Sequence, residues 1–480
     1  MEVVVTAVMG EIANRSISFL IDKYSKQKAS SIEDQRLHNL RRLLQRVHVI
    51  IEEAEGRNIT NQAMVHQLNM LRKEMYRGHF TMDNFRMQAT ERYVKSNHHD
   101  VSHPFAQSKF NAAKRLIFST GDTQRKNELQ QVLDNLNNII IDASEFLEFL
   151  KNYSPRYRQP YSMHLFLEKS MFGRQMEMQR IMSFLMLPPT PSTKDVSVLP
   201  IIGTEHSGKS TLVAHICNHE RVRDNFTQIV DLTEYDRKDR GLTTLTDGDT
   251  VTLQNSPMNR NETVLVIIEF SEDVDEAAWK RYLAYAASLA SVVKIIITSR
   301  SSKITSFGTT EALILNLLPL EAYWYFFKVL TFDSADPNDQ PKLESIAMEM
   351  CQHFNGSFVA ANIFSGLLRA DRNAKHWLMV RATFNVATKK KKYSSCAASC
   401  GVVNDKNPAY LRRMVTNDVF AFYPCYENYA NDRVPKSTFI DVLYGLVRCE
   451  GRFEVFALKS RIPPYKNYMY TCEIREGLMY

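Results

Sequence analysis

The chain contains little cysteine and no long apolar run. Its 7 cysteines are odd in number and scattered over 480 residues, which indicates free thiols in a reducing compartment and not a disulfide framework. Cys396 and Cys400 have no second close pair at zinc-finger spacing, so we expect no zinc site there. No stretch approaches the ~18 consecutive apolar residues that a membrane span requires. These absences predict a soluble intracellular protein without a membrane span.

A strong charge of either sign is also lacking. The 60 basic and 53 acidic residues leave a net charge of +7, and this mild balance gives no reason to expect a specific nucleic-acid partner. Hydrophobic residues make up 44% of the chain and charged residues 24%, which is ordinary for globular proteins. A chain of this length has room for two or three domains.

The first third of the chain shows the periodicity of amphipathic helices. Apolar residues recur at three- and four-residue spacing, which is the pattern of one helix face. We predict four helices that pack as an antiparallel bundle over residues 1–150. An intermolecular coiled coil is the alternative, which Gly56 and the polar stretch at 90–125 disfavour because they interrupt the pattern. The four faces are formed by Val5, Val8, Ile12 and Phe19; by Leu40, Leu44, Val47, Ile51 and Ala54; by Leu68, Leu71, Met75, Met82 and Phe85; and by Leu129, Val132, Leu136, Ile139, Ala143, Phe146 and Leu150.

A phosphate-binding loop is the clearest motif. Residues 203–211 read GTEHSGKST and match the pattern G-x-x-x-x-G-K-S/T in full. The loop lies between an apolar, β-branched run and a helical pattern, where backbone amides and the helix dipole attract phosphate. Lys209 is expected to reach the β- and γ-phosphates, and Ser210 to bind Mg²⁺ through its hydroxyl. The predicted nucleotide-binding residues of the loop are Gly203, Gly208, Lys209, Ser210 and Thr211.

Short apolar strands alternate with helices after the loop, as in a parallel sheet covered on both faces. Glu269 follows the predicted strand at 263–268, where P-loop proteins place the acid that meets Mg²⁺, so it is the candidate catalytic and metal-binding acid. Phe270 follows where related ATPases carry a second acid, and we therefore expect weak ATP hydrolysis at most. Arg300, after the strand at 292–298, is a candidate contact for the terminal phosphate. An ordinary surface arginine explains the same position equally well.

Read together, these residues resemble the plant intracellular immune receptors of the nucleotide-binding leucine-rich-repeat class. Those receptors carry an Rx-type coiled-coil domain and an NB-ARC module. The segments that carry the resemblance, besides the phosphate loop, are LRKEMY at 71–76, MDNF at 82–85, MFGR at 171–174, KIIITSR at 294–300 and LLPLEAYWYFF at 317–327. The resemblance covers residues 1–370.

The resemblance implies a multidomain α and α/β protein that binds ADP or ATP with Mg²⁺. It implies that Phe172 and Arg174 lie against the adenine and ribose, that Arg300 senses the terminal phosphate, and that the sheet has five parallel strands. The implied units are a four-helix Rx-type domain (1–150), a linker (151–170), a P-loop α/β domain (171–320), a helical subdomain (321–385) and a region of uncertain fold (386–480), for which a small α+β unit is the candidate.

The family's behaviour would be that of a switch. In that family ADP holds the receptor closed, and exchange for ATP permits oligomerisation and defence signalling. The resemblance also implies protein partners for the helical bundle, among them other immune receptors. The implied location is the cytoplasm, with the nucleus and the plasma-membrane surface as alternatives.

The sequence departs from the family pattern in several places. Of the acidic motif in the third helix only Asp83 remains. In the family this motif docks on the repeat domain, and because no leucine-rich repeat is found in the sequence, we interpret Asp83 as having nothing to dock on. Phe358 replaces the proline that packs against adenine. No Met-His-Asp motif or winged-helix pattern follows residue 375.

Three functions are therefore open. The leading one is a truncated or degenerate immune-receptor-like protein of plant defence that binds adenine nucleotide and is not primarily an enzyme. A working P-loop ATPase is the second, with Glu269, or less plausibly Glu272 and Asp273, as the acid that polarises water. The third is a nucleotide-indifferent helper or decoy scaffold that uses the bundle alone.

Overall fold

The computed structural model describes residues 32–97, 111–153, 171–187, 196–232, 263–289, 292–391, 409–428, 434–447 and 451–475, apart from short breaks within these ranges. Three features expected from the sequence lie outside the described residues. They are the first predicted helix, most of the predicted linker, and the pair Cys396 and Cys400.

Three of the four predicted bundle helices are present. They are α1 (Ile32–Glu55), α2 (Gln62–Asn97) and α3 (Asn111–Leu150), and their predicted apolar faces lie in one core. Gly78 occupies the only position on the α2 face that lacks a side chain. A Cβ there would lie 2.7 Å from Leu44 Cδ2 and 3.3 Å from Leu136 Cδ1, so the glycine permits close contact with both other helices.

The helices are longer than the sequence suggested. The predicted interruption at 90–125 is wrong in extent, because α2 continues to Asn97 and α3 begins at Asn111. Once a helix has formed, each added residue gains a hydrogen bond at small entropic cost, and Gln, Glu, Arg and Lys are good helix formers. A polar composition therefore did not identify a loop here.

The central element is a parallel sheet with strand order β2-β3-β4-β1-β5. The five parallel strands confirm the expectation from the family resemblance. Branched apolar residues fill both faces of the sheet, with Ile201 and Ile296 in one core and Val198 and Ile297 in the other. The strands are β1 (Val196–Gly203), β2 (Gln228–Asp231), β3 (Thr263–Phe270), β4 (Val292–Ser299) and β5 (Leu313–Leu315).

Helices cover both faces of this sheet, as buried parallel strands require. One face packs against α4 (Gln175–Met186), α5 (Lys209–Cys217) and α6 (Glu220–Asn225). The other packs against α7 (Glu276–Leu289) and a 3₁₀ turn (Ser302–Phe307).

A helical unit follows the sheet in the chain. It consists of α8 (Leu320–Phe332), a 3₁₀ turn (Pro337–Asp339), α9 (Pro341–His353), α10 (Phe358–Ala370) and α11 (Ala374–Lys391). Proline stands at the first position of α9, where its missing N–H costs no helical hydrogen bond. Helix α11 runs across the boundary predicted at 385/386.

The C-terminal part is a small α+β unit, which was the candidate from the sequence. It contains β6 (Ala409–Arg412), β7 (Val419–Asn428), α12 (Phe439–Leu443), β8 (Arg452–Lys459) and β9 (Asn467–Arg475). The sheet is antiparallel with order β6-β7-β9-β8. Helix α12 begins with a capping box between Thr438 and Asp441 and lies against the sheet through aromatic rings.

One apolar core connects the bundle, helices α8–α11 and the C-terminal sheet, and it includes residues from Leu40 to Cys472. The parallel sheet has its own two cores. Within the described ranges we find no helix whose length and apolar character would let it span a bilayer.

Candidate phosphate-binding site

The phosphate loop lies between the end of a central strand and the start of a helix. Strand β1 ends at Gly203, α5 begins at Lys209, and β1 lies between β4 and β5 in the sheet. The N–H groups in the first turn of a helix have no acceptor within the helix, and the helix dipole adds positive potential there. Residues 205–206 of the loop are outside the described residues.

The conformation and packing of the phosphate loop explain why positions 203 and 208 are glycine. A Cβ at Gly203 would lie 2.6 Å from the Leu315 carbonyl oxygen and 2.7 Å from Ser207 Oγ, so the close packing of the loop against β5 excludes any side chain. Gly208 has a φ of +89°, which is accessible mainly to glycine. Among the described residues, nothing lies within 4 Å of the point where its Cβ would stand.

Lys209 is buried, and its ammonium lies against the backbone of the loop. Its Nζ donates to the carbonyl oxygens of Gly203, at 2.8 Å, and Thr204, at 3.0 Å. Ser207 Oγ is also buried and has no hydrogen-bond partner among the described residues. A buried cation and the N-terminus of a helix, next to a hydroxyl with no partner among the described residues, together fit an anionic phosphate.

Ser210 and Glu269 meet beside the loop. Ser210 Oγ, in the first turn of α5, donates to Glu269 Oε2 at 2.8 Å. Thr211 follows in the same turn and is partly buried. A hydroxyl and a carboxylate are both ligands suited to Mg²⁺, so the pair fits the predicted metal position.

The position after Glu269 cannot supply a second acid. Phe270 is buried and packs edge-on against Trp279, with ring centroids 6.1 Å apart. Asp273 Oδ2 accepts a hydrogen bond from Lys303 Nζ at 2.6 Å, and this bond lowers the pKa of the carboxyl. Glu272 lies outside the described residues.

Arg300 lies directly after β4, at the same end of the sheet as Glu269. The adjacent strands β3 and β4 pair Phe270 with Ser299, so the two strands end together. The side chain of Arg300 is exposed.

Arg174 contacts the loop backbone. One terminal nitrogen donates to the Ser207 carbonyl at 3.0 Å and to the Asn316 carbonyl at 2.6 Å, and the other donates to Glu177 Oε1 at 3.2 Å. The guanidinium is therefore buried between the phosphate loop and the segment after β5. The family resemblance implied that this side chain lies against a base and ribose, and it did not predict the loop contact.

Phe172 lies in an aromatic cluster between α2 and α8. Its ring is 5.4 Å from Tyr76 of α2 and 5.3 Å from Phe326 of α8. Phe358, at the start of α10, packs 5.1 Å from Phe326. The structure thus brings the two positions that the resemblance assigns to adenine packing, Phe172 and Phe358, into one cluster. Tyr76 was not predicted, because helical periodicity shows burial and not the partner.

Lys294 is a further residue that sequence reasoning did not assign a role. It lies in β4 and is buried, and its Nζ donates to the carbonyl oxygens of Phe184 at 2.6 Å and Leu185 at 3.0 Å, and also to that of Leu187. These carbonyls end α4, where a cation is favourable. Burial lowers the pKa of Lys294 to about 8. The signal in the sequence was a single lysine within an apolar strand.

Comparison with known proteins adds the family context. Residues 8–114 match the family model described as the Rx N-terminal domain. The disease resistance protein RGA2 of Solanum bulbocastanum is 23% identical over 350 residues, which cover 70% of this chain. An RPP13-like disease resistance protein of Arabidopsis thaliana is 21% identical over 368 residues, or 73% of this chain. The chain is a homologue of plant disease resistance proteins.

The chain spans 34% of the length of each of these two relatives. Among solved structures, C. elegans PCH-2 matches 49% of this chain and 74% of its own, at 12% identity and a TM-score of 0.30.

Asp83, which the resemblance assigns to an acidic docking motif, contacts another part of this chain. It is fully buried, and its Oδ2 accepts hydrogen bonds from Trp324 Nε1 at 2.8 Å and from Lys328 Nζ. Both partners lie on α8. The interpretation that Asp83 has nothing to dock on is therefore wrong, because a sequence does not show contacts between residues more than 240 positions apart.

Proposed function

We propose that this homologue of plant disease resistance proteins binds an adenine nucleotide with Mg²⁺ and acts as a switch in plant defence. The observation that carries the proposal is the buried ammonium of Lys209, 2.8 and 3.0 Å from two loop carbonyls at the N-terminus of α5. A lysine in this position can exchange loop carbonyls for phosphate oxygens when nucleotide binds, because both accept the same hydrogen bonds.

Each residue near the loop has a role in this proposal. Lys209 and the first-turn amides of α5 hold the phosphates, while Gly203 and Gly208 keep the loop backbone close to them. Ser210 and Glu269 hold the metal ion, which when bound neutralises phosphate charge. Arg174 fixes the loop through the Ser207 carbonyl, and Arg300 contacts the terminal phosphate.

We infer binding and release of nucleotide, with hydrolysis weak at most. Phe270 is part of the core beside Trp279, and Asp273 is engaged by Lys303. Of the described acids, Glu269 is then the one that borders the loop, and in this role it also holds the metal. One carboxylate with both tasks is a poor arrangement for activating water.

Isothermal titration with ADP and ATP in the presence of Mg²⁺ tests the proposal. Wild-type protein should release or take up heat at micromolar to millimolar nucleotide, and Lys209→Ala should lose at least tenfold in affinity because a charged hydrogen bond contributes about 1.5–3 kcal/mol. Lys280→Ala is the matched control, since Lys280 is an exposed lysine paired with Glu276 on α7. Absence of binding by the wild type at millimolar nucleotide would contradict the proposal.

We further propose that the helical bundle contacts other proteins, among them other immune receptors. The support is the Rx N-terminal match at residues 8–114 together with the described helices α1–α3. Capture of partners by the full chain should depend on nucleotide and should change in Lys209→Ala. If capture is identical in both proteins and no nucleotide binds, the scaffold function is correct instead.

A further inference from the structure

Two buried carboxyl groups from distant parts of the chain meet where α2 packs on α8 and α9. Asp83 of α2 and Glu344 of α9 are both fully buried. They share the guanidinium of Arg86, whose two terminal nitrogens lie 3.5 Å from Asp83 Oδ1 and 3.2 Å from Glu344 Oε2. One arginine therefore brings together two acids that are far apart in sequence.

The negative charges of the two acids are not equally neutralised by nearby cations. Asp83 faces two cations, Lys328 and Arg86, and also accepts a hydrogen bond from Trp324. Among the described residues, Glu344 has an ion pair with one cation, Arg86. If one of the two carboxyl groups holds a proton, Glu344 is therefore the better site.

Each carboxyl group also has an oxygen without a hydrogen bond. In the described part of the chain, Glu344 Oε1 is buried and accepts no hydrogen bond, and Asp83 Oδ1 accepts none either, although it lies 3.5 Å from Arg86. A buried acceptor left in this state is costly. A proton on Glu344 removes one of two buried negative charges that repel each other.

We propose that Asp83 and Glu344 form a proton-binding carboxyl pair that fastens α2 to α8 and α9, so that this contact is tight when one proton is bound and looser when it is lost. The inference is independent of nucleotide binding. It concerns the contact between the N-terminal helices and the helical unit that follows the parallel sheet.

Electrostatics support the assignment of the proton to Glu344. Burial first, and then the charge of Asp83, raise the pKa of Glu344 to about 7, against the opposing effects of Arg86 and Lys328. Its place in the first turn of α9 favours the ionised form by only about 0.3–1 kcal/mol. Burial alone would raise the pKa of Asp83 as well, but Lys328 and Arg86 hold it below its ordinary value.

The other titratable groups around the pair do not account for a change of charge near pH 7. Burial lowers the pKa of His79 on α2 to about 3, so it is neutral over the relevant range, and His48 of α1 faces it. Asp336, before α9, adds negative charge and favours the proton on Glu344. On the side of α11, Arg381 is paired with Glu349.

The sign of the pH dependence follows from the raised pKa of Glu344. A carboxyl whose folded pKa exceeds its unfolded value contributes stability that is complete below the unfolded pKa and is lost as pH rises through the folded pKa. The contact should therefore weaken between about pH 4.5 and 7. For one proton, the equilibrium constant for opening should rise by up to about tenfold per pH unit in this window.

Hydrogen–deuterium exchange of the α2 amides in the full chain, corrected for the intrinsic effect of pH, measures this opening. We expect wild-type opening to increase from pH 5.5 to pH 7.5, and Glu344→Gln, an uncharged isostere, to remain closed throughout. Glu349→Gln on the same helix is the matched control and should behave like the wild type. If wild type and Glu344→Gln share the same pH dependence, the proposal is overturned.

Infrared spectroscopy of the wild type provides a second measurement that does not require a folded variant. A protonated carboxyl has a C=O stretch separate from that of carboxylates, and we expect a buried protonated group at pH 6 that titrates near pH 7. Absence of any protonated carboxyl at pH 6 would also overturn the proposal.

Discussion

Glu269 and its neighbour Phe270 have different environments although they are adjacent in the chain. Its carboxylate accepts the Ser210 hydroxyl at 2.8 Å, while its neighbour Phe270 packs on Trp279 in the core. The alternation of side chains along β3 explains the difference, because successive residues of a strand point to opposite faces. The strand therefore presents one acid to the loop and one ring to the core.

Glu269→Gln should separate metal binding from phosphate binding. We expect the Mg²⁺-dependent part of nucleotide affinity to fall about tenfold or more, since a lost charged ligand costs at least about 1.4 kcal/mol. Affinity without Mg²⁺ should change little. Titration calorimetry with and without Mg²⁺ measures both, and Glu311→Gln, which alters an exposed acid, is the control. An equal loss under both conditions would exclude the metal role.

Helix α4 is held at both ends by hydrogen bonds to other parts of the chain. Its C-terminal carbonyls accept from Lys294 of the sheet, and Arg174, at its N-cap, donates to the phosphate loop. The helix is thus attached at one end to a central strand and at the other to the loop. A cation at a helix C-terminus is favoured by the dipole and by the free carbonyls.

Removing the ammonium of Lys294 should lower the stability of the fold. We expect Lys294→Met to lower the free energy of unfolding by about 2–3 kcal/mol, because buried carbonyls lose charged donors. Urea denaturation measures the loss. Lys294→Arg should restore part of it if the charge matters, whereas Lys303→Met, at an exposed lysine, should cost less than about 1 kcal/mol. A Lys294→Met protein as stable as wild type would show that the attachment is unimportant.

The whole molecule is joined through one core that reaches from α1 to the C-terminal sheet. Asp83 lies where this core connects α2 to α8, with Trp324 and Lys328 around it. Removal of one member of a buried ion pair typically costs about 3–5 kcal/mol, because the remaining charges are buried and unpaired. The connection between the N-terminal helices and the rest of the molecule should therefore depend on this residue.

Asp83→Ala should cause the N-terminal helices to unfold before the rest of the molecule. In the wild type, circular dichroism and tryptophan fluorescence should report one urea transition for this shared core. In Asp83→Ala the helical signal should fall in two steps instead, the first at lower urea, because the N-terminal helices separate from α8 before the rest unfolds. Asp134→Ala, at an exposed acid bonded to Gln130, is the control and should retain the wild-type curve. A single helical transition in Asp83→Ala would contradict this role.

The sequence by itself determined the features that depend on neighbours along the chain. The loop motif predicted its strand-to-helix joint, because a glycine-rich turn, a lysine and a helix start are contiguous. The apolar stripes predicted α1–α3 and the β-branched runs predicted the parallel strands, because burial is periodic along one element. Helix ends were less determined, as the extension of α2 to Asn97 shows.

Only the tertiary structure decided which residues meet across the chain. It placed Arg174 on the loop carbonyl, Phe172 against Tyr76, Lys294 at the end of α4, and Glu344 with Asp83 on one arginine. Such pairings depend on how separate elements pack. A local pattern records that a side chain is buried, but the partner that compensates its charge is set by the packing of helices that lie far apart in the sequence.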